Sequence, residues 1–201
     1  MHTRKLFFSG LLSFAVFFTA FAQKKPLDHQ VYDGWQQISM SAISKDGRFV
    51  YYIVNPQEGD GYLTITTPDN RTVGRIARAA NPTITADRKF LIALIKPLYS
   101  QTRAAKIKKK KPEEMPKDSL AIFTLETAEL LKIPRVRSFK TPAKAGGHVA
   151  YLSEPDLTSR DTLATDSVKS PKTRGKKGEV ALHVRELSSG EEFEVTRVDN
   201  Y

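Results

Sequence analysis

Two short sequence patterns each occur twice in this chain, and they restrict its fold more than any other feature. The first has the form I-[ST]-x-D-x-[RK]-F-[VL] and covers residues 43–50 and 84–91. The second has the form L-x-[IV]-x-x-L-x-[ST]-[AG]-E and covers residues 120–129 and 182–191. Recurring units of a few tens of residues are typical of repeat folds, in which each unit buries its apolar face against the next.

The first pattern predicts a strand that is entered through a tight turn. Asp46 offers an acceptor side chain and Gly47 is free to adopt a positive φ, and Arg88 takes the glycine's place in the second copy. Residues 49–54 and 90–95 then run apolar without alternation, which is typical of a strand covered on both faces. The second pattern predicts a hairpin of two alternating strands.

Together the two patterns predict four-stranded units over about 38–76, 81–133 and 137–197. The third unit begins with a strand at 148–152, entered through Gly146 and Gly147. Such units are blades, so we expect an all-β chain that forms a partial β-propeller of about three blades. Propellers use about four to eight blades, and an open end would expose an apolar sheet face. We therefore expect the 201 residues to be a fragment of a longer protein.

Residues 1–22 have the three parts of a secretory signal peptide. His2, Arg4 and Lys5 form a basic head, residues 6–18 are mostly apolar, and Ala22 closes an A-x-A site. The apolar run is shorter than the ~20 residues of a membrane span. We expect cleavage after Ala22, no stable membrane anchor afterwards, and a secreted or periplasmic product. Residues 23–37 then form an N-terminal segment ahead of the propeller.

The positive charge is concentrated in two segments. The chain has 32 basic and 22 acidic side chains, for a formal net charge of +10. Much of the excess lies in residues 103–117 and 169–177, which we interpret as lysine-rich loops inserted between the inner strands and the outer hairpin of the second and third units. The chain has no cysteine, which excludes thiolate nucleophiles, iron–sulfur clusters and cysteine zinc sites.

The residues after the signal peptide resemble a known family. They read QKKPLDH at 23–29, VYDGWQQI at 31–38 and SKDGRFVYY at 44–52. With these residues the chain resembles the exported prolyl-oligopeptidase-like serine peptidases (S9 type) of Bacteroidetes-like bacteria. The resemblance implies a propeller that precedes an α/β-hydrolase domain, screens its active site and admits peptides. The sequence contains no G-x-S-x-G nucleophile elbow, so no catalytic residue can be transferred to it.

No residue stands out as catalytic, cofactor-binding or metal-binding. The histidines after residue 22 are not at metal-ligand spacing, and none has a neighbouring Ser/Asp pair that would suggest a triad. We interpret the acid pairs as solvated charges, Trp35 as a packing anchor, and the Asn70 sequon as without meaning in a bacterial protein. The candidate residues for such roles are His29, His148, His183, Glu113, Glu114, Glu191, Glu192, Trp35, Asn70 and Lys106 to Lys111.

The sequence therefore predicts a non-catalytic propeller fragment of an exported serine peptidase, with peptides as partners of the whole protein. Whether the chain belongs to an enzyme is left open, because a non-enzymatic periplasmic (TolB-like) propeller that binds protein or peptide is the alternative. We expect no cofactor and no nucleic-acid partner, because the lysine run at 106–111 has no interleaved aromatic residues. Weak contact of the lysine-rich loops with polyanions is a third expectation.

Overall fold

The computed structural model describes residues 29–154 and 180–196. The chain divides into two units, residues 1–34 and 35–201. In the first unit the described element is a 3-10 helix, His29–Gly34. The predicted signal peptide at 1–22, its cleavage site and the lysine-rich segment at 169–177 lie outside the described residues.

The second unit contains twelve described strands and one described α-helix. The strands are β1 (Gln36–Ile43), β2 (Val50–Pro56), β3 (Tyr62–Thr66), β4 (Thr72–Ala77), β5 (Ala79–Ile84), β6 (Phe90–Ile95), β7 (Ser119–Thr124), β8 (Leu130–Pro134), β9 (Val136–Lys140), β10 (His148–Ser153), β11 (Ala181–Glu186) and β12 (Glu192–Thr196). The helix α1 (Tyr99–Ile107) and a short 3-10 helix, Pro112–Glu114, lie between β6 and β7.

These strands form three four-stranded sheets, each built from consecutive strands. Sheet A has the order β1-β2-β3-β4, sheet B has β5-β6-β7-β8, and sheet C has β9-β10-β11-β12. Every described neighbouring pair is antiparallel. The prediction of an all-β partial propeller with three four-stranded blades is confirmed. The twice-occurring hairpin pattern forms β7–β8 and β11–β12.

Sheet B lies between the other two sheets, and its two faces form two apolar cores. One core joins sheets A and B and contains Leu63 and Leu91, and the other joins sheets B and C and contains Ile92 and Val149. All six residues of β6 are buried, as the uninterrupted apolar pattern predicted. In β2 the outward-facing Val50 and Tyr52 are only half-buried, because no described sheet covers that side of sheet A.

The turn pattern I-[ST]-x-D is a hydrogen-bonded device that starts the second strand of a sheet. In sheet A the Ser44 hydroxyl donates to Asp46 Oδ1 over 2.6 Å and accepts from the Phe49 backbone N–H over 3.0 Å. In sheet B, Thr85 makes the same contacts with Asp87 and with the backbone of Phe90. The buried backbone N–H groups of Phe49 and Phe90 are each thereby paired with a side-chain oxygen, as buried donors require.

A second structural repeat joins neighbouring sheets. Arg78 follows β4 with φ 58°, and Arg135 follows β8 with φ 61°. The Arg78 side chain donates through Nε to the Lys96 carbonyl over 2.8 Å, and Arg135 does the same to the Glu154 carbonyl over 3.4 Å. Each arginine thus ties the link between two sheets to the end of the next sheet's second strand.

One segment differs from the expectation of a loop. Residues 103–107 of the lysine-rich stretch 103–117 belong to helix α1. The region from Tyr99 to Ile107 holds neither glycine nor proline and is rich in helix formers such as alanine, arginine and lysine. The basic composition favours a loop, and it obscures the helix propensity of these residues.

Among the described residues, no helix has the length and apolar character needed to cross a membrane.

Candidate functional site

A cleft with a cavity volume of about 600 Å³ opens between sheets A and B, beside helix α1. It lies where β2 turns into β3 and where the chain leaves β6. The residues that line it are Ser39, Met40, Ile53, Asn55, Gly59, Asp60, Gly61, Arg78, Ala79, Ala80, Asn81, Lys96, Pro97, Tyr99, Thr102, Pro116 and Asp118. The cleft is therefore bounded by two sheets and by the insertion that carries the helix.

Charged groups of both signs line this cleft. Lys96 Nζ lies 2.6 Å from Asp118 Oδ2. Asp60 Oδ1 accepts the backbone N–H of Tyr99 over 2.8 Å, so a carboxylate from the β2–β3 turn satisfies a free donor at the start of helix α1. Arg78 adds a cation whose Nε is held by the Lys96 carbonyl. These bonds fix the positions of the charges at the mouth of the cleft.

The backbone around the cleft is irregular. Arg78 and Asn81 have positive φ values of 58° and 51°. Strand β1 has a bulge between Ile38 and Met40, and β5 has one between Ala80 and Thr83. Bulges and left-handed residues other than glycine cost free energy and occur preferentially beside functional sites. The cleft combines this irregular backbone with a charged lining, and we take it as the candidate site.

One wall of the cleft is closely packed, and the lining is polar. Asn55 Nδ2 donates to Ser39 Oγ over 2.9 Å, and a Cβ on Gly61 would lie 2.0 Å from Asn55 Oδ1, so this wall is closely packed. The lining offers amides, hydroxyl groups and charges of both signs.

A second polar cluster lies on the face of sheet C that packs against sheet B. Tyr151 donates its hydroxyl to Glu192 Oε2 over 2.7 Å, and Arg185 Nη1 donates to the same oxygen over 3.1 Å. The rings of Tyr151 and His183 are stacked, with centroids 5.0 Å apart. The Ser153 hydroxyl lies 2.9 Å from His183 Nε2. Three neighbouring strands thus contribute to one network.

The environment of this cluster changes the pKa of two groups. Partial burial pushes the pKa of Glu192 upward, but the hydrogen bonds from Tyr151 and Arg185 and the nearby His183 outweigh it and hold the pKa below its ordinary value. Burial, followed by the hydrogen bond to Glu192, raises the pKa of Tyr151. The carboxylate is thereby kept charged and the phenol neutral.

Three side chains of this cluster are arranged in space as the serine, histidine and acid of a hydrolase triad, namely Ser153, His183 and Glu192. The sequence did not suggest this grouping. His183 Nδ1 lies 2.8 Å from Glu192 Oε1, but it is not aligned as a hydrogen bond. The carboxylate is already engaged by Tyr151 and Arg185, and no described contact supplies oxyanion donors beside Ser153. The contacts therefore favour a network that joins the strands of sheet C and completes its packing on sheet B.

Four other residues of the second unit that the sequence singled out lie outside both clusters. His148 is exposed at the start of β10, Trp35 is 56% exposed ahead of β1, and Glu191 is exposed beside β12. Asn70 is exposed in the turn between β3 and β4. His29 begins the 3-10 helix of the first unit.

The two acids in the lysine-rich segment belong to the short 3-10 helix. Glu113 is exposed, and Glu114 Oε2 accepts the backbone N–H of Lys111 over 3.4 Å. In the part of the chain that the structure describes, no three His, Asp or Glu side chains come together as metal ligands would.

No protein-family model matches the chain, and no curated protein matches it. Among solved structures, an acylaminoacyl peptidase from Pyrococcus horikoshii is similar with a TM-score of 0.48 and 14% identity, over 86% of this chain and 27% of that one. The β-propeller domain of the Trilobed protease from Pyrococcus furiosus has a TM-score of 0.48 and 15% identity, over 82% and 44%. The tricorn protease has a TM-score of 0.46 and 15% identity, over 82% and 13%.

This chain spans about a quarter of the length of the Pyrococcus horikoshii peptidase. At these identities the similarity concerns the fold alone. The assignment to a partial propeller rests on the three sheets and their order.

Proposed function

We propose that this chain is the propeller part of an exported serine peptidase of the prolyl-oligopeptidase type, and that the cleft between sheets A and B contacts the peptides that the propeller admits. The sequence at 32–52 supports the family, because it resembles the start of such propellers. The single observation that supports peptide contact is the cleft itself. Its lining includes two cations, Arg78 and Lys96, and two carboxylates, Asp60 and Asp118.

The cleft suits an extended peptide for physical reasons. Peptide N–H and C=O groups need partners when they leave water, and the Asn55 and Asn81 amides and the Ser39 hydroxyl can provide them. A terminal or side-chain carboxylate of the peptide would meet Arg78, whose guanidinium is more weakly hydrated than an ammonium. Binding of this kind is weak and accepts many peptide sequences. An entrance that selects peptides as a class requires both properties.

Peptide contact is tested with the matched arginines of the two links between sheets. A fluorescein-labelled Gly/Ala octapeptide with a free carboxylate is titrated against the full chain, and fluorescence anisotropy is measured. Arg78→Asn should weaken binding about tenfold or more, since a hydrogen bond to a charged group contributes about 1.5–3 kcal/mol. Arg135→Asn is the control, because Arg135 has the same left-handed backbone and a similar carbonyl contact but does not line the cleft.

Equal effects of the two substitutions, or no binding by the unchanged protein, would contradict peptide contact at this cleft.

The peptidase assignment is tested separately on the natural gene product. The coding region beyond codon 201 should encode an α/β-hydrolase domain with a G-x-S-x-G elbow, and the protein from its own cells should be labelled by a fluorophosphonate. A stop codon at that point together with absent labelling would exclude the peptidase and favour the non-enzymatic propeller. Peptide binding by the cleft could survive that outcome, so the two parts of the proposal fail independently.

A further inference from the structure

Five lysines form a basic patch at the C-terminal end of helix α1. We call this group the lysine patch, and its members are Lys106, Lys108, Lys109, Lys110 and Lys111. All five are exposed. Neither the cleft nor the cluster on sheet C includes any of them, so the patch has no part in the function proposed above.

The patch is held in an ordered turn. The backbone N–H of Lys108 donates to the Ala104 carbonyl over 3.1 Å, and that of Lys110 donates to the Ala105 carbonyl over 3.1 Å. Lys109 reverses the chain with φ 51°. Ala105 is buried, and Asp60 holds the start of the helix, so the helix that leads into the patch is fixed to the fold.

The ammonium groups of the patch are not paired with acidic side chains among the described residues. The basic residues on either side of it have partners: Arg103 lies 3.8 Å from Glu58, and Lys117 lies 2.6 Å from Glu154. None of the five lysines occurs in an ion pair between described residues. The helix dipole favours cations near this end, but it acts within the last turn and does not balance five charges.

An apolar side chain stands among these lysines. Ile107 is 72% exposed, with patch lysines before and after it in the chain. Residues 100–117 contain no aromatic side chain on which a nucleic-acid base could stack. Lysines that surround one exposed aliphatic residue match a phospholipid surface, where phosphates meet the cations and the boundary of the acyl region accepts the apolar group.

We propose that the lysine patch docks the protein reversibly on bilayers that contain anionic phospholipids, with the ammonium groups on headgroup phosphates and Ile107 at the headgroup–acyl boundary. Each lysine near such a surface adds to the attraction, and salt screens it. The contact is therefore peripheral and sensitive to salt, and it differs from the anchoring of a membrane-spanning segment.

The test is co-sedimentation with sucrose-loaded vesicles. The chain is produced by export, so that every variant is compared in the same processed form. Vesicles of phosphatidylcholine with about 30% phosphatidylglycerol are compared with pure phosphatidylcholine. The unchanged protein should bind the anionic vesicles at roughly 25 mM NaCl and be released at roughly 500 mM. Replacement of Lys108, Lys109, Lys110 and Lys111 by glutamine should weaken this binding about tenfold or more.

Two control variants separate the patch from net charge and from folding. Glutamine at Lys45, Arg71, Lys89 and Lys132 removes the same charge from other exposed sites and should leave vesicle binding within about twofold. Arginine at the four patch positions keeps the charge and should retain binding. Circular-dichroism melts verify that each variant folds as the unchanged protein does.

Three results would overturn the proposal. They are no binding of the unchanged protein to anionic vesicles, equal loss in both glutamine variants, and binding of a duplex DNA oligonucleotide at a salt concentration where the vesicles are not bound. The last result would assign the patch to nucleic acid. Ile107→Ser should lower vesicle binding modestly and leave its salt dependence unchanged.

Discussion

The two interfaces between neighbouring sheets are alike near their inner strands and different near their outer strands. At the outer strands of sheets A and B, the ring of Phe123 lies against Gly74, where a Cβ would be 2.4 Å from Phe123 Cζ. On the face of sheet C that is turned toward sheet B, Glu192 instead accepts hydrogen bonds from Tyr151 and Arg185. One interface is completed by the fit of a ring and the other by a polar network.

The difference shows that a repeated fold tolerates two kinds of packing at one equivalent place. A ring against a glycine needs no polar partner but leaves no room for change, because interiors are close-packed. A polar network instead depends on its charges and hydrogen bonds, each of which contributes about 0.5–1.5 kcal/mol. The two interfaces should therefore respond to different perturbations.

The largest expected effect is the loss of the Phe123 ring. Phe123→Ala should lower the free energy of unfolding by about 3–5 kcal/mol, because it removes a buried ring and leaves a cavity. Urea unfolding measures this change. Leu131→Ala is the control, since Leu131 is 44% exposed and its truncation should cost far less.

A double-mutant cycle sharpens this result. Gly74→Ala should cost about 1–3 kcal/mol alone, because of the clash with the ring, and much less in the Phe123→Ala background. Additive effects would show that the ring does not lie against Gly74.

An intermediate effect is expected when the polar network loses its shared acceptor. Glu192→Gln should lower the free energy of unfolding by about 0.5–1.5 kcal/mol, because Arg185 loses its charged partner and Tyr151 a strong acceptor at a partly exposed site. Glu191→Gln, at the exposed neighbouring position, should change it little. If both variants unfold alike, the network has no part in the packing of sheet C.

The smallest effect is a dependence of stability on pH. Because the folded pKa of Glu192 lies below its ordinary value of 4.5, its contribution is complete above that value and is lost as the pH falls through the folded pKa. The free energy of unfolding should therefore fall less between about pH 5 and pH 3 in Glu192→Gln than in the unchanged protein. Parallel pH profiles for the two proteins would contradict the network, and Phe123→Ala should leave the shape of the profile unchanged.

Features that depend on local chemistry were predictable from the sequence. The turn at Ser44 to Phe49 and its copy at Thr85 to Phe90 follow from a hydroxyl, a carboxylate and a position that accepts positive φ. The buried strand β6 follows from six consecutive apolar residues. Because the residues of each signal lie close together in the chain, the signals were sufficient to predict the strand order and the fold class.

Features that depend on distant pairing were not predicted. Ser153 and His183 are separated by a long insertion, and their contact follows from the register in which Ser153 pairs with Ala181. Glu192 reaches them only through β12. Helix α1 was hidden by its basic composition, and the cleft needs Arg78 and Asn81 to adopt left-handed backbones that no short pattern announces.

Sheet B is the covered middle of a stack of three repeated sheets. Hydrogen exchange of the folded chain, measured strand by strand, tests it most directly, because exchange reports the free energy of local opening. The amides of β6 should exchange slowest, and those of β1, where every side chain is exposed, fastest among the described strands. Slower exchange in β10 and β11 than in β6, or equal exchange throughout, would contradict the claim.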